Sequence, residues 1–373
     1  MSNGLKISVW SIAAPIVAII VLGLTQLNLN LGHVESVIMA IALIGVVLAA
    51  VHHAETIAHK LGEPYGTLLL ATAITVIEVG LILSLMLAGG PETASLARDT
   101  VFAAVMIIIT GIVGICSLIG GMLYKEQVFK LHGANAALST LAAIVVLTLI
   151  LPNYTLTTQG PIYSGSQLAF IALVSLVLYG TFVFVQAIRH RNYFLDVKDI
   201  NDDGDLAEHD LLGSAEVADK SSNAITYYSS CLLLICLAAV VLLAKALAPT
   251  IEDFVKLIHA PHQLVGVIIA SIVLLPEGLA AVRAARKNMF QTSLNLAMGS
   301  ALASIGLTIP AVAILSLATG WTLFLGIDMK STVLVLLALF VNAISLATGR
   351  TNVLQGVVLL VIFGVYLFTT AIP

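Results

Sequence analysis

The chain has 373 residues, 60% of them hydrophobic and 10% charged, and a formal net charge of −4. Its mean hydropathy is +1.08. That balance excludes a soluble domain and gives no basic surface for nucleic acid.

Apolar runs of about 17–25 residues, enough to cross a bilayer, recur along the whole length. Eleven are recognised, at 8–29, 34–52, 64–88, 100–123, 134–151, 167–188, 224–247, 262–282, 292–318, 329–348 and 352–371. Lipid cannot satisfy backbone polar groups, so spanning runs are helices or closed barrels. These runs are long and continuously apolar, which selects helices. The expected class is therefore an all-α polytopic membrane protein of about eleven transmembrane helices.

The first run is too long for a signal peptide, and no small-residue cleavage site follows it. With the N-terminus in the cytoplasm, twelve of the sixteen Lys and Arg residues fall in inner segments. The positive-inside rule then predicts N-terminus in and C-terminus out.

The second run leads into His52, His53, Glu55 and His59, with Glu63 at the start of the third; His262 opens the eighth. Histidine titrates near neutral pH, so these residues are candidates for proton access or pH sensing. The alternative is a wetted helix end. Cys116, Cys231 and Cys236 all lie within runs, with neither disulfide nor metal-ligand spacing.

The third run carries Glu78 and the eighth carries Glu277, both far from any predicted membrane surface. A carboxylate deep in a bilayer costs several kcal/mol or more, so such residues are rarely idle. Thr75 lies three residues before Glu78 and shares its helix face. Pro276 precedes Glu277 and cannot donate to the Ile272 carbonyl, which predicts an interrupted helix with a freed oxygen. The ninth run adds Asn295, Gly299 and a stripe of Ser300, Ser304 and Thr308. Together these oxygens describe a hard-cation site.

Two carboxylates balance one Ca²⁺. Without a cation, desolvation and mutual repulsion favour their protonated forms. Cation and protons then compete for the same oxygens, and alternating access turns competition into exchange. Transported Ca²⁺, Na⁺ or K⁺ and protons are thus the expected ligands, with no cofactor. The bilayer is the expected partner, and a homo-oligomer stays open. A cation channel and a membrane Ca²⁺ or pH sensor are the competing readings. No nucleophile motif or phosphate loop supports an enzyme.

Residues 192–220 hold nine acids and two bases. The expected organisation is an extra first helix at 1–32, a five-helix repeat at 33–191, an acidic cytoplasmic linker at 192–222 and a second five-helix repeat at 223–373. Five is odd, so the second block enters from the opposite side, an inverted repeat. Superposing Glu78 on Glu277 puts Ala71 on Ala270 and Thr72 on Ser271, which makes Thr72 and Ser271 candidate shell residues. Within the linker, Asp199, Asn201, Asp203, Asp205 and Asp210 fall at EF-hand loop positions, with Gly204 at the sixth. The last is Asp rather than Glu. A regulatory Ca²⁺ loop and a solvated acidic linker both fit.

His53-Ala54-Glu55, Leu61 to Gly66, Glu78, Leu275 to Leu279 and Gly349 to Leu354 resemble the bacterial ChaA-type antiporters. These belong to the Ca²⁺/cation–proton exchangers of the cation/Ca²⁺ exchanger superfamily. The resemblance spans nearly the whole chain. It implies ten core helices in two inverted repeats plus an extra first helix, with Glu78 and Glu277 as paired site residues. It also implies proton-coupled export of Ca²⁺, Na⁺ or K⁺ across a bacterial cytoplasmic membrane. The wider family's G-N-x-x-E pattern is replaced here by Ile74-Thr75 and Val273-Leu274, and Gly299-Ser300 meets Val101-Phe102 in the fourth run. Losing both asparagines removes neutral ligands and leaves room for Na⁺ or K⁺.

Overall fold

The computed structural model describes residues 9–26, 33–61, 65–195, 223–257, 261 and 263–372. Each predicted run falls on one long helix. In chain order these are α1 (Val9–Gln26), α2 (His33–Leu61), α3 (Tyr65–Gly89), α4 (Leu96–Tyr124), α5 (Leu131–Val145), α6 (Gly165–Phe184), α7 (Asn223–Leu257), α8 (Gln263–Arg286), α9 (Phe290–Thr319), α10 (Met329–Leu346) and α11 (Val353–Ala371). Large side chains such as Phe340, Ile344 and Val361 remain exposed on them. The protein is an integral membrane protein, and lipid is the solvent such faces require.

Among the described residues, three helices carry π-turns. Ile107–Ile112 widens to a π-turn inside α4, Val146–Ile150 continues α5 as π, and Val185–Arg189 does the same for α6. Two predicted boundaries were too short. The second helix runs on to Leu61 and the seventh to Leu257, because helix continues past the apolar stretch into amphipathic sequence.

The chain divides by contact into two units. Met1–Ala88 with Asp203–Phe254 makes one, and Gly89–Asp202 with Val255–Pro373 makes the other. Each draws helices from both predicted halves. In the first unit α1 lies along α2. Gly80 of α3 abuts α7, where a Cβ would come within 3.1 Å of Val241 Cγ2.

The second unit shows the two-fold relation between the halves directly. Here α4 packs on α11, and their counterparts α9 and α6 pack on each other. Both α6 and α11 open with a reciprocal capping box, Ser164 with Gln167 and Asn352 with Gln355. After α4, strand β1 (Glu126–Val128) pairs antiparallel with β2 (Arg350–Asn352), which joins α10 to α11. After α9, the chain bonds instead to the end of α5 and the link that follows it. Leu325 and Gly326 donate to Pro161 O, and Ile327 donates to Leu149 O. The same staple thus closes the bundle at both ends, with the repeats exchanging roles. This is the arrangement of two inverted repeats.

Close helix contact depends on small residues. A Cβ on Gly356 of α11 would stand 2.5 Å from the Leu118 backbone nitrogen of α4, so only glycine fits there.

Candidate cation site

Glu277 lies in the interior of the second unit, 9% exposed. The helix that carries it returns through a tight turn at Lys287 to Met289, with Asn288 at φ +62°. Met289 and Lys287 both donate to Ala284 O, and α9 starts at once. This turn sets α9 antiparallel beside α8 and brings Ser300 level with the glutamate. Ser300 Oγ donates to Glu277 Oε1 at 2.9 Å. A hydroxyl that gives its proton to a carboxylate still offers two lone pairs for a cation. Ser304 and Thr308 are buried further along the same helix.

Pro276 does not interrupt its helix. Gln263 to Arg286 is continuous, with the proline inside it. The flanking turns carry the helix through the missing donor, and the Ile272 carbonyl still lacks its usual N–H partner.

Glu78 and Thr75 sit on α3 in the other unit, each 4% exposed. The i, i+3 spacing puts both on the same buried face.

Several expected shell residues lie elsewhere. Asn295 is engaged at both amide atoms: Nδ2 donates to Phe194 O, and Oδ1 accepts from Gln291. It ties α9 to the end of the α6 segment rather than facing Glu277. Ser271 is exposed and turns its hydroxyl back to Val267 O at 2.7 Å. Thr72 is likewise exposed. Six residues before a glutamate is the wrong side of a helix, a fact the repeat match alone did not weigh.

His52 and His53 lie inside α2, well before its end at Leu61. His53 is fully buried within α2, and its Nε2 lies 3.1 Å from Ser11 O of α1. A carbonyl can only accept, so Nε2 carries the proton. His52 packs on Trp10, ring centroids 5.4 Å apart. This pair anchors the extra first helix, and Glu55 is half-buried one turn on. The side chain of His59, and residues Glu63 and His262, lie outside what the structure describes, as do Asp199, Asn201, Asp203, Asp205 and Asp210.

Two features escaped the sequence reading. Asp99 is a third buried carboxylate, 8% exposed, paired with Arg98 Nε at 2.8 Å. Arg98 also donates to Gly326 O, binding α4 to the connection before α10. Both residues lie just before the predicted fourth span, which starts at residue 100. The second is the π-turn of α4. Its Ile112 side chain lies against Gly278, where a Cβ would come within 3.3 Å of Ile112 Cδ1. Asn342, a polar residue inside an apolar helix, was the available signal for it.

The model of the family described as "sodium/calcium exchanger protein" matches residues 5–188 and 228–371. A Sinorhizobium fredii protein, y4hA, named as an ionic transporter, is 42% identical over 98% of this chain and 97% of its own. The Escherichia coli sodium-potassium/proton antiporter ChaA is 33% identical over 96% of this chain and 95% of its own. The solved structure of native YfkE superposes with a TM-score of 0.71 at 16% identity, covering 99% of this chain and all of that one, and so shares the fold. Helix order, reciprocal packing and these matches agree: the chain belongs to the sodium/calcium exchanger family.

Proposed function

We infer that this protein is a secondary antiporter that exchanges a cytoplasmic cation for external protons. Ca²⁺ is the first candidate cation, with Na⁺ and K⁺ as alternatives. Glu78 and Glu277 hold cation and protons in turn. Thr75, Ser300, Ser304 and the Ile272 carbonyl supply neutral oxygen. The observation that carries this reading is the Ser300–Glu277 hydrogen bond inside an apolar bundle. A buried carboxylate held by a hydroxyl is a cation ligand kept in place, not a surface charge that strayed inward.

The exchange follows from charge. Two carboxylates match the charge of Ca²⁺, and an empty pair in a dry interior favours protons. Each species must leave before the other enters. Family membership and the name of the sodium-potassium/proton relative support proton coupling and keep Na⁺ and K⁺ in contention. The distribution of Lys and Arg supports a cytoplasmic N-terminus in a bacterial cytoplasmic membrane.

The test uses inside-out vesicles with an imposed proton gradient. Ca²⁺, Na⁺ and K⁺ are added separately, and collapse of the gradient is followed. At least one cation should collapse it with saturable dependence. If none does, the antiporter reading is wrong. Glu78→Gln and Glu277→Gln should each abolish the effect; wild-type exchange in both variants would remove the site assignment.

A further inference from the structure

The π-turn of α4 lies in the second unit, where several helices meet. Val113 N–H reaches back five residues to Ile108 O, which defines the widened turn. Such a turn holds one residue more than α geometry and disturbs the carbonyls around it. Thr110 turns its hydroxyl back to Met106 O, and Gly111 faces the ring of Phe363 on α11. Ile112 closes the turn against Gly278, the residue after Glu277.

Asn342 of α10 holds this turn from the other side. It is fully buried, and its Nδ2 donates to Ile109 O at 3.0 Å and to Ala338 O at 2.8 Å. Both partners are carbonyls, so the amide has only one workable orientation. Its Oδ1 then points away from them, a buried acceptor with no donor among the described residues.

We propose that Asn342 is a positioning residue for cation exchange. It fixes the π-turn of α4 and, through Ile112 on Gly278, the rotation of the Glu277 carboxylate toward Ser300. This rests on the exchange function proposed above. Hydrogen bonding to Ile109 O is the working contact, and Oδ1 is where a water or a passing proton carrier would be received. A residue that only filled space would tolerate leucine, which has the same branched skeleton, a larger volume and no amide.

The test compares Asn342→Leu and Asn342→Asp in the full chain, in inside-out vesicles and purified in detergent. Leucine loses both ends of the amide. A buried aspartic acid keeps an acceptor and, when protonated, a donor for Ile109 O. Asn342→Leu should raise the cation half-saturation concentration at least tenfold with less than a threefold fall in maximal rate. Asn342→Asp should stay within threefold of wild type at pH 6 and approach the leucine variant as pH rises. Thermal unfolding in detergent checks that both are folded. An unchanged half-saturation in folded Asn342→Leu would overturn the proposal, as would equal losses of maximal rate in both variants at every pH. Glu277→Gln measured in parallel keeps the two readings apart. If that variant exchanges normally, the site assignment fails; if it is dead while Asn342→Leu is normal, only the role of Asn342 fails.

Discussion

Ser300 gives its hydroxyl proton to Glu277 Oε1 at 2.9 Å, holding one carboxylate oxygen in a fixed direction within the α8–α9 pair. The contact joins residues 23 positions apart through a turn of three residues. Its consequences can be measured.

Ser300→Ala removes the donor and, on the proposed function, a neutral ligand. A hydrogen bond to a charged group contributes about 1.5–3 kcal/mol, and about 1.4 kcal/mol is tenfold in affinity. The cation half-saturation concentration should therefore rise roughly tenfold or more. Ser300→Thr keeps the hydroxyl and should recover most of the loss. Concentration dependence of gradient collapse measures both, and an unaltered alanine variant would count against the site.

Cation affinity should depend on pH at the loading face. On the proposed function protons and cation share the same oxygens, so higher pH empties the carboxyls and strengthens cation binding. The half-saturation concentration should fall by about tenfold per pH unit where one proton leaves and more steeply where two leave. Flux measured from pH 6 to pH 9 at fixed membrane potential gives the slope. A flat profile would separate cation binding from proton release.

His53→Phe should destabilise the fold slightly and leave the pH profile of exchange where it is. An aromatic ring, slightly larger, stays in place, while the bond to Ser11 O is lost, worth about 0.5–1.5 kcal/mol net. A lower unfolding temperature with an unmoved profile fits an anchor for α1. A profile displaced by more than half a pH unit would give His53 a part in proton movement.

Gly356→Ala should be poorly tolerated. Its methyl group would stand 2.5 Å from the Leu118 backbone nitrogen. Overpacking of this kind costs about 1–3 kcal/mol, and backbone cannot step aside as a side chain can. The variant should unfold at lower temperature in detergent. Gly364→Ala, on the same helix with open space around it, is the control and should match wild type.

Much of the fold was legible because lipid imposes one rule on every span. Eleven apolar runs fall on eleven helices among the described residues, and Glu78 and Glu277 drew attention by the cost of burying a carboxylate. What the pattern could not show was orientation about each helix axis. Ser271 and Thr72 matched across the repeat yet face outward, and Asn295 is spent on the end of α6. His53 looked like a wet helix end because apolar sequence thins before the helix stops. Asp99 was overlooked because its charge is masked by its own neighbour, Arg98, one residue away. Side-chain partnerships over 228 or 233 residues, Arg98 with Gly326 and Asn342 with Ile109, leave no trace in local spacing.

The π-turn also bears on how the two halves are compared. It places one surplus residue in α4, while α9 runs as regular helix from Phe290 to Thr319. No single numerical offset can therefore match α4 to α9 along their whole length. Positions before Ile107 and after Ile112 are out of step by one. An ungapped pairing is right on only one side of the turn, so the two helices must be compared with a gap placed inside a helix.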